Sequence, residues 1–570
     1  MKLRTVLLAL CMAIPPAAWA QAACPARDAV TDAATDQPSL QASAYLARAA
    51  RSTARRELDK RFTQRFLLDR IYAPCSFALL WTIQGKPTPQ AIAVMQQFEM
   101  ARQKGLRPGD YGWPAWSVRA AALQGPGKTP LATRLAQFDL GLTSALLRFL
   151  CDLSTGRVDP RTLKVGLDVR PQVESMASYI PARIAGSSDV AAAIQQVEPS
   201  SERYLRIEAE LDRYLALAAT GNIALPPFRK TIRAGDALEW LPQLATRLKK
   251  VGDLPSDFDA GPPPFLYQGS LVNAVMSFQQ RHGLEPDGAI GPATYQQLLV
   301  PLNQRAMQLA LTLERWRWVP RPFTEPPIVV NIPEFILRAY DQRRQVVLRM
   351  PVIVGRAYRK RRRTPIFEGK VSSVILRPYW NVPLDIQQNE IAPKLAKNLD
   401  YLEKNSFEVL DARGTILNAA PASLLPGIRN GSLKVRQIPG PENSLGLIKF
   451  VFPNSYSVYM HGTPEQVLFG KSRRDFSHGC IRVEDPVSLA VWVLRQQPDW
   501  PRDRIEAATA GEETITIPLQ SPIPVLILYG TALVEEDGKV HFFQDIYGYD
   551  LTLERALDRI SAERAARRSF

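Results

Sequence analysis

The segment HGTPEQVLFGKSRRDFSHGCIR, residues 461–482, is the most informative part of this chain. It holds two of the four histidines found in 570 residues, and it contains the run Ser477-His478-Gly479-Cys480. A cysteine attacks as thiolate, so catalytic thiols lie beside a histidine and near backbone N–H groups that can hold negative charge. This segment offers both, and we predict that it is the centre of the protein's chemistry.

His461 closes a β-like run, and Cys480 follows it by 19 positions. A connection of that length can fold back beside the same strand and bring the imidazole to the thiol. We expect His461 to take the thiol proton, with the backbone carbonyl of Gly462 orienting its ring. Gly479 lets the backbone approach a substrate closely, so the N–H groups of Gly479 and Cys480 are candidates for an oxyanion hole.

Four neighbouring side chains are candidates for supporting roles. We expect Ser477 and His478 to shape the site, with His478 a second candidate for assisting the thiolate. Arg482 is adjacent to the nucleophile and either holds a substrate carboxylate or braces the loop. Tyr459 either lines the cleft or packs against the strand's neighbours.

Two other interpretations of the segment compete with nucleophilic catalysis. A structural, buried Cys480 would leave the concentration of histidines unexplained. His461, His478 and Cys480 are also chemically suitable zinc ligands. A metal site needs no accompanying serine and glycine pattern, however, so we predict no metal.

The surroundings of the segment are rich in predicted strands. Residues 326–515 are therefore predicted as a mainly β, sandwich-like domain. Residues 384–438 interrupt it with a helical stretch, which is either a lid that excludes water from a cleft or a surface decoration. Residues 520–570 are predicted as a hairpin, with Ile523–Val534 and Lys539–Phe543 as its strands, followed by a helix. The strand-like runs of the β domain are Ile328–Ile332, Phe335–Tyr340, Val346–Val354, Val371–Leu376, Leu447–Phe452 and Tyr456–His461.

The first half of the chain is predicted to be helical, which makes the fold class multidomain α+β. Residues 39–225 form a scaffold without a visible catalytic constellation, and its helical spacing is clearest at Tyr204, Ile207, Leu211 and Tyr214. Residues 230–300 are predicted to form a small three-helix unit. Residues 301–322 read as a helical connector.

The three-helix unit resembles the peptidoglycan-binding domain that is attached to many cell-wall enzymes. The pattern that carries the resemblance consists of Phe278-Gln279, Gly283-Leu284, Asp287-Gly288, Gly291 and Thr294. His282 lies inside this pattern, where it is expected at a helix end rather than as a metal ligand.

The 461–482 segment resembles the signature of the YkuD-type L,D-transpeptidase catalytic domain. That signature is a histidine, a gap of about fifteen residues, Ser or Thr-His-Gly-Cys, a hydrophobic residue and then Arg or Asn, and His461 to Arg482 fit it throughout. The larger periplasmic YcbB-like members share the helical scaffold, the wall-binding unit and a capping insertion. They also share phrases similar to Thr364-Pro365, Trp380-Asn381-Val382-Pro383, Asn443-Ser444-Leu445-Gly446, Lys449-Phe450 and Asp545-Ile546-Tyr547-Gly548.

The resemblance implies a cofactor-free enzyme that joins peptidoglycan tetrapeptide stems. Cys480 would form a thioester with a donor stem, release D-alanine and pass the acyl group to a second stem's diaminopimelate, giving a 3-3 cross-link. Carbapenems would acylate Cys480. The alternatives are an L,D-carboxypeptidase or endopeptidase, an enzyme that joins a lipoprotein to the wall, and a non-catalytic peptidoglycan-binding scaffold.

The N-terminus and the net charge indicate an exported protein. Lys2 and Arg4 precede an apolar run, and Ala18-Trp19-Ala20 supplies a cleavage site, so residues 1–20 are predicted as a cleavable signal peptide that directs the chain to the periplasm. An uncleaved membrane anchor or a lipid on Cys24 are the alternatives. The net charge of +16 suits anionic headgroups or carboxylate polymers, with peripheral association to wall or membrane, and we expect no nucleic-acid partner.

The basic run and the cysteines leave further alternatives. Residues 359–363 are either a solvated loop or an attractor of stem carboxylates or anionic lipid. If Cys480 stays reduced in an oxidising compartment, our preferred disulfide joins Cys75 to Cys151.

Overall fold

The computed structural model describes residues 37–52, 67–169, 173–319 and 325–566. The predicted signal peptide and Cys24 lie outside these residues. Among the described helices, none is both long and apolar enough to cross a membrane.

The N-terminal region is helical, as the sequence predicts. Helix α5 is its centre, because most of its residues are buried in the region's apolar core. A small hairpin, β1 (Thr82–Ile83) and β2 (Lys86–Pro87), follows the second helix. The helices are α1 (Gln37–Ser52), α2 (Leu67–Tyr72), α3 (Pro89–Glu99), α4 (Ala115–Ala121), α5 (Leu131–Thr155), α6 (Val173–Tyr179), α7 (Val190–Gln195) and α8 (Glu202–Ala219).

The three-helix unit comprises α9 (Leu241–Val251), α10 (Ser270–Arg281) and α11 (Pro292–Leu299). His282 is buried at the end of α10, and its Nδ1 lies 2.6 Å from the Phe278 carbonyl oxygen. Burial lowers its pKa, so the ring is neutral and packs as part of the core. The connector that follows is helix α12 (Leu302–Trp316).

Helix α8 belongs to a different core from the one expected. Its apolar face packs with α9, α10 and α12 rather than with the other scaffold helices. The sequence shows the helical spacing of this face correctly, but spacing cannot show which neighbour the face meets.

An eight-stranded closed barrel contains both ends of the 461–482 segment. The strand order is β10-β11-β12-β5-β4-β3-β13-β6, and only β11 with β12 and β3 with β13 run parallel. The β domain is therefore a single closed sheet and not the sandwich-like domain that the sequence predicts. The multidomain α+β fold class is confirmed. The barrel strands are β3 (Ile328–Asn331), β4 (Ile336–Tyr340), β5 (Val346–Ile353), β6 (Phe367–Leu376), β10 (Ile448–Val451), β11 (Met460–His461), β12 (Ile481–Val483) and β13 (Ile515–Leu528).

The insertion between β6 and β10 folds around a small apolar core of its own. A three-stranded sheet in the order β7-β9-β8 lies beside its helices. We call it the capping insertion. Its elements are β7 (Trp380–Asn381), α13 (Leu384–Ile386), a π-helical turn (Gln387–Ile391), α14 (Ala392–Lys397), α15 (Tyr401–Lys404), β8 (Phe407–Leu410), α16 (Pro421–Asn430) and β9 (Lys434–Gln437).

The C-terminal hairpin is shorter than predicted. Ile523–Leu528 belongs to barrel strand β13, and only β14 (Ala532–Val534) and β15 (Val540–Phe542) form the hairpin. Helix α19 (Tyr549–Ala566) then returns to the N-terminal helices. The remaining helices of the barrel domain are α17 (Pro486–Val493) and α18 (Arg502–Ala510).

The preferred disulfide between Cys75 and Cys151 is wrong. Cys75 is disulfide-bonded, whereas Cys151 is a reduced thiol buried in α5. Cys480 is also reduced.

Candidate active site

The parallel pairing of β11 with β12 places the two ends of the 461–482 segment side by side. Met460 pairs with Ile481, and His461 pairs with Arg482. Met460 and Ile481 are fully buried in the barrel core. Because side chains alternate along a strand, His461, Arg482 and the flanking Cys480 lie on the opposite face of the sheet.

Cys480 lies directly before β12, and its side chain is half-buried. Its Sγ donates a hydrogen bond to the Ser457 carbonyl oxygen at 3.8 Å. Burial raises the pKa of the thiol, although hydrogen bonds from Tyr459 and the positive charges of Lys449 and Arg482 oppose that rise. The resting group is thus a neutral thiol.

His461 is buried, and its imidazole is held in one orientation. Its Nδ1 lies 2.5 Å from the Gly462 carbonyl oxygen, so Nδ1 carries the proton and Nε2 is left as an acceptor. Burial lowers the pKa of His461 to about 3, and the positive charge of Arg482 contributes to that fall. The ring is therefore a neutral base at physiological pH.

The Ser477 hydroxyl closes the turn before the thiol. Its Oγ accepts a hydrogen bond from the Gly479 N–H at 3.1 Å and donates one to the Cys480 carbonyl at 2.6 Å. The Gly479 N–H that we expected in an oxyanion hole is thus already engaged. Gly479 has a φ of +122°, which favours glycine, so its role here is to shape the turn.

Two residues outside the segment support this turn. The Thr364 hydroxyl donates to the Gly479 carbonyl at 2.8 Å and accepts from the Gly355 N–H at 2.9 Å. The Tyr547 hydroxyl donates to the Gly355 carbonyl at 2.6 Å and accepts from the Thr364 N–H at 3.2 Å. The sequence singled out both residues only as parts of recurrent phrases, and it did not indicate these contacts.

His478 is directed towards the capping insertion rather than towards the thiol. Its Nε2 lies 2.6 Å from Glu390 Oε1, and the same oxygen accepts from Arg362 at 2.5 Å. Burial would raise the pKa of Glu390, but the bonds from His478 and Arg362 outweigh it and lower the pKa. The turn before Cys480 and the capping insertion are therefore joined by a charged contact.

Arg482 and Tyr459 occupy distinct places around the thiol. Arg482 forms an ion pair with Glu465 in the connection between His461 and Ser477, which favours the bracing role over the binding of a carboxylate. Tyr459 is partly buried, and its pKa is raised by burial and by the neighbouring Cys480. Its ring centroid lies 5.6 Å from that of His461, which favours packing beside the base.

Lys449 completes this face of the sheet, and the sequence did not identify it as a site residue. It lies on β10 opposite His461, and its Nζ is 4.0 Å from the ring centroid of Tyr459. Burial lowers the pKa of Lys449, and its charge in turn lowers the pKa of both Cys480 and His461. Only the pairing of β10 with β11 reveals this position.

Replacing Lys449 by methionine is expected to slow alkylation of Cys480 by iodoacetamide about tenfold at a fixed pH below the thiol pKa. The variant removes a cation that stabilises the thiolate, so the pKa of Cys480 rises and the alkylation profile moves to higher pH. Peptide mass spectrometry of Cys480 over a pH series measures this rate. Lys449→Arg keeps the charge and is the matched control. An unchanged profile for Lys449→Met would show that the ammonium does not act on the thiol.

The zinc ligands of the competing interpretation, His461, His478 and Cys480, are not grouped as a metal site. Within the four described stretches, no three histidine, cysteine or acidic side chains are grouped as metal ligands. His478 is bonded to Glu390, while the Nδ1 of His461 faces its neighbour's carbonyl.

Comparison with known proteins identifies three regions of the chain. Residues 326–516 match the L,D-transpeptidase catalytic domain, residues 66–211 match a family described as a scaffold domain, and residues 241–298 match one described as "Putative peptidoglycan binding domain". These matches confirm both resemblances drawn from the motifs.

One curated relative comes from Haemophilus influenzae and is named "Putative L,D-transpeptidase". It is 32% identical over 262 residues, which cover 45% of this chain and 52% of the relative. The chain thus spans about half the length of this relative.

Proposed function

We propose that this chain, which carries an L,D-transpeptidase catalytic domain and a peptidoglycan-binding domain, forms 3-3 cross-links between peptidoglycan stems. The observation that carries the proposal is that the pairing of β11 with β12 puts Cys480 on the same sheet face as a neutral His461, whose Nδ1 is held by the Gly462 carbonyl. A thiol and a neutral imidazole of defined tautomer on one face of the sheet are the groups that a cysteine nucleophile and its base require, which supports the proposal.

In the first half-reaction, His461 Nε2 takes the proton of Cys480 as Sγ attacks the carbonyl of the L-centre of diaminopimelate in a donor tetrapeptide. The tetrahedral intermediate collapses when the carbon–nitrogen bond breaks, and the imidazolium returns the proton to the leaving amine. D-alanine departs, and the tripeptide remains on Cys480 as a thioester. The Cys480 N–H is our remaining candidate for stabilising the oxyanion.

In the second half-reaction, the side-chain amine of a second stem's diaminopimelate attacks the thioester. His461 accepts the amine proton, the carbon–sulfur bond breaks, and the proton returns to the Cys480 sulfur. The product is an amide between two diaminopimelate residues. Neither step requires a cofactor, because the acyl group and the nucleophiles supply all the chemistry.

Carbapenem acylation follows from the same mechanism. The strained lactam carbonyl would take the place of the donor carbonyl, and Sγ of Cys480 would open the ring and retain the product as a thioester. We further propose that the chain acts in the periplasm after removal of residues 1–20, in association with the cell wall.

Muropeptide analysis separates this proposal from its rivals. The purified protein is incubated with tetrapeptide-rich sacculi, which are then digested and analysed by mass spectrometry. New 3-3 dimers support transfer, shortened monomers alone support a carboxypeptidase, and loss of existing cross-links supports an endopeptidase. Attachment of an added lipoprotein peptide supports ligation. Binding without any change in the muropeptides would support a non-catalytic scaffold.

A further inference from the structure

A cavity of about 690 Å³ opens at Cys480. His478, Gly479 and Cys480 form one part of its wall, whereas Lys449, Tyr459 and His461 do not line it. Its volume lies within the range of about 300–1,000 Å³ that is usual for small-molecule sites. Cys480 therefore borders a cavity to which the mechanism above has assigned no part of the substrate.

The cavity is strongly cationic. None of its lining residues is an aspartate or a glutamate, while tyrosines and Trp318 supply aromatic surface. Such a composition favours a ligand that carries carboxylates. The basic residues of the lining are Lys164, Arg315, Lys360, Arg361 and Arg363.

Two of these cations are already engaged within the protein. Arg315 pairs with Asp550 at 2.6 Å, and Arg363 donates to the Tyr547 carbonyl at 2.6 Å. Lys164, Lys360 and Arg361 are exposed. Among the described residues, none of these three has a carboxylate within ion-pair distance. They are the side chains available to a bound anion.

Lys164 belongs to the helical scaffold, in which the sequence shows no catalytic constellation. The loop that carries it is fixed to the barrel, since the Gly166 N–H donates to the Ile366 carbonyl at 2.8 Å. A buried ion pair between Arg157 and Asp110, 2.5 Å apart, holds the preceding part of the chain. The anchored scaffold loop and the basic run thus both line the cavity.

We propose that this cationic cavity binds the carboxylates of a peptidoglycan stem and holds that stem against Cys480. The inference rests on the proposed function, and it assigns the scaffold a direct part in substrate binding through Lys164. Either the donor or the acceptor stem supplies the required carboxylates. Anionic lipid is the less suitable ligand, because the cavity leads to the thiol.

Binding of soluble muropeptides tests the proposal independently of turnover. The dissociation constant of a disaccharide-tetrapeptide is measured by calorimetry on Cys480→Ala protein and on the same protein with Lys164→Gln, Lys360→Gln and Arg361→Gln. The triple change is expected to weaken binding about tenfold, with a smaller difference at high salt. A tetrapeptide with amidated carboxylates should bind both proteins equally weakly.

A disaccharide-tripeptide distinguishes the two stems, because it lacks the terminal D-alanine and can serve only as an acceptor. Weakened binding of both ligands assigns the cavity to the acceptor, and weakened binding of the tetrapeptide alone assigns it to the donor. Replacing Arg343, Lys397 and Arg559 by glutamine removes the same charge from exposed positions outside the cavity and should leave both affinities unchanged.

Unchanged affinities in the cavity variant would overturn the proposal. Loss of binding to anionic vesicles with unchanged muropeptide affinities would overturn it too, in favour of a lipid site. Wild-type protein that makes no cross-links yet binds stems through these cations would refute the proposed function and leave the cavity assignment intact.

Discussion

Replacement of Cys480 by alanine is expected to reduce both D-alanine release and 3-3 dimer formation by at least about 10⁴-fold. The variant removes the proposed acyl acceptor, and no other thiol of the described residues is placed to replace it. Among the described cysteines, Cys75 is disulfide-bonded and Cys151 is buried in α5. Loss of a nucleophile typically has an effect of this size or larger. Quantifying D-alanine and dimers over time measures both half-reactions.

Cys151→Ala is the matched control, because it removes the other reduced thiol of the described chain. It is expected to retain full turnover, with at most a small loss of thermal stability from the vacated volume. Dimer formation by Cys480→Ala at more than a few per cent of the wild-type rate would show that Cys480 is not the nucleophile.

Replacement of His461 by glutamine is expected to lower the transfer rate about 10³-fold. Glutamine can still fill part of the space, but it cannot take the thiol proton or return it to the leaving amine. The wild-type kcat/KM should stay flat across neutral pH, because the pKa of His461 is about 3 and the pKa of the Cys480 thiol is raised. The kcat/KM should fall at pH values below about 3, where His461 becomes protonated. A rate profile over this pH range measures both the loss and its cause.

His478→Gln is the control for this variant. Its Nε2 is bonded to Glu390, so the substitution should disturb the contact with the capping insertion without removing the base. We expect a rate loss of about tenfold or less, with the pH profile unchanged. If His478→Gln instead reduced the rate as strongly as His461→Gln, His478 would have a role in proton transfer.

The sequence predicts those features that a short motif carries within itself. The histidine, the gap and the Ser-His-Gly-Cys run predicted which side chains to examine, and the structure places His461 and Cys480 at neighbouring strands. Lys449 was noted only within a recurrent phrase and not as a site residue, because its position opposite His461 depends on the register of β10 with β11.

Contacts between distant elements account for the other differences. The partner of His478 is Glu390, 88 positions away in the capping insertion, and sequence spacing carries no information on such a contact. The engagement of the Gly479 N–H depends on the Ser477 rotamer. Helix α8 and strand β13 were recognised as elements, but their packing partners follow from the assembled domains.

The acyl-enzyme is the species that decides whether Cys480 carries the acyl group. Wild-type protein is mixed with a disaccharide-tetrapeptide, quenched in acid within the first turnover and digested for mass spectrometry. We expect the peptide containing Cys480 to gain the mass of the disaccharide-tripeptide less one water, with one D-alanine released for each adduct. Formation of 3-3 dimers without this adduct, or with the adduct on another residue, would contradict the proposed role of Cys480.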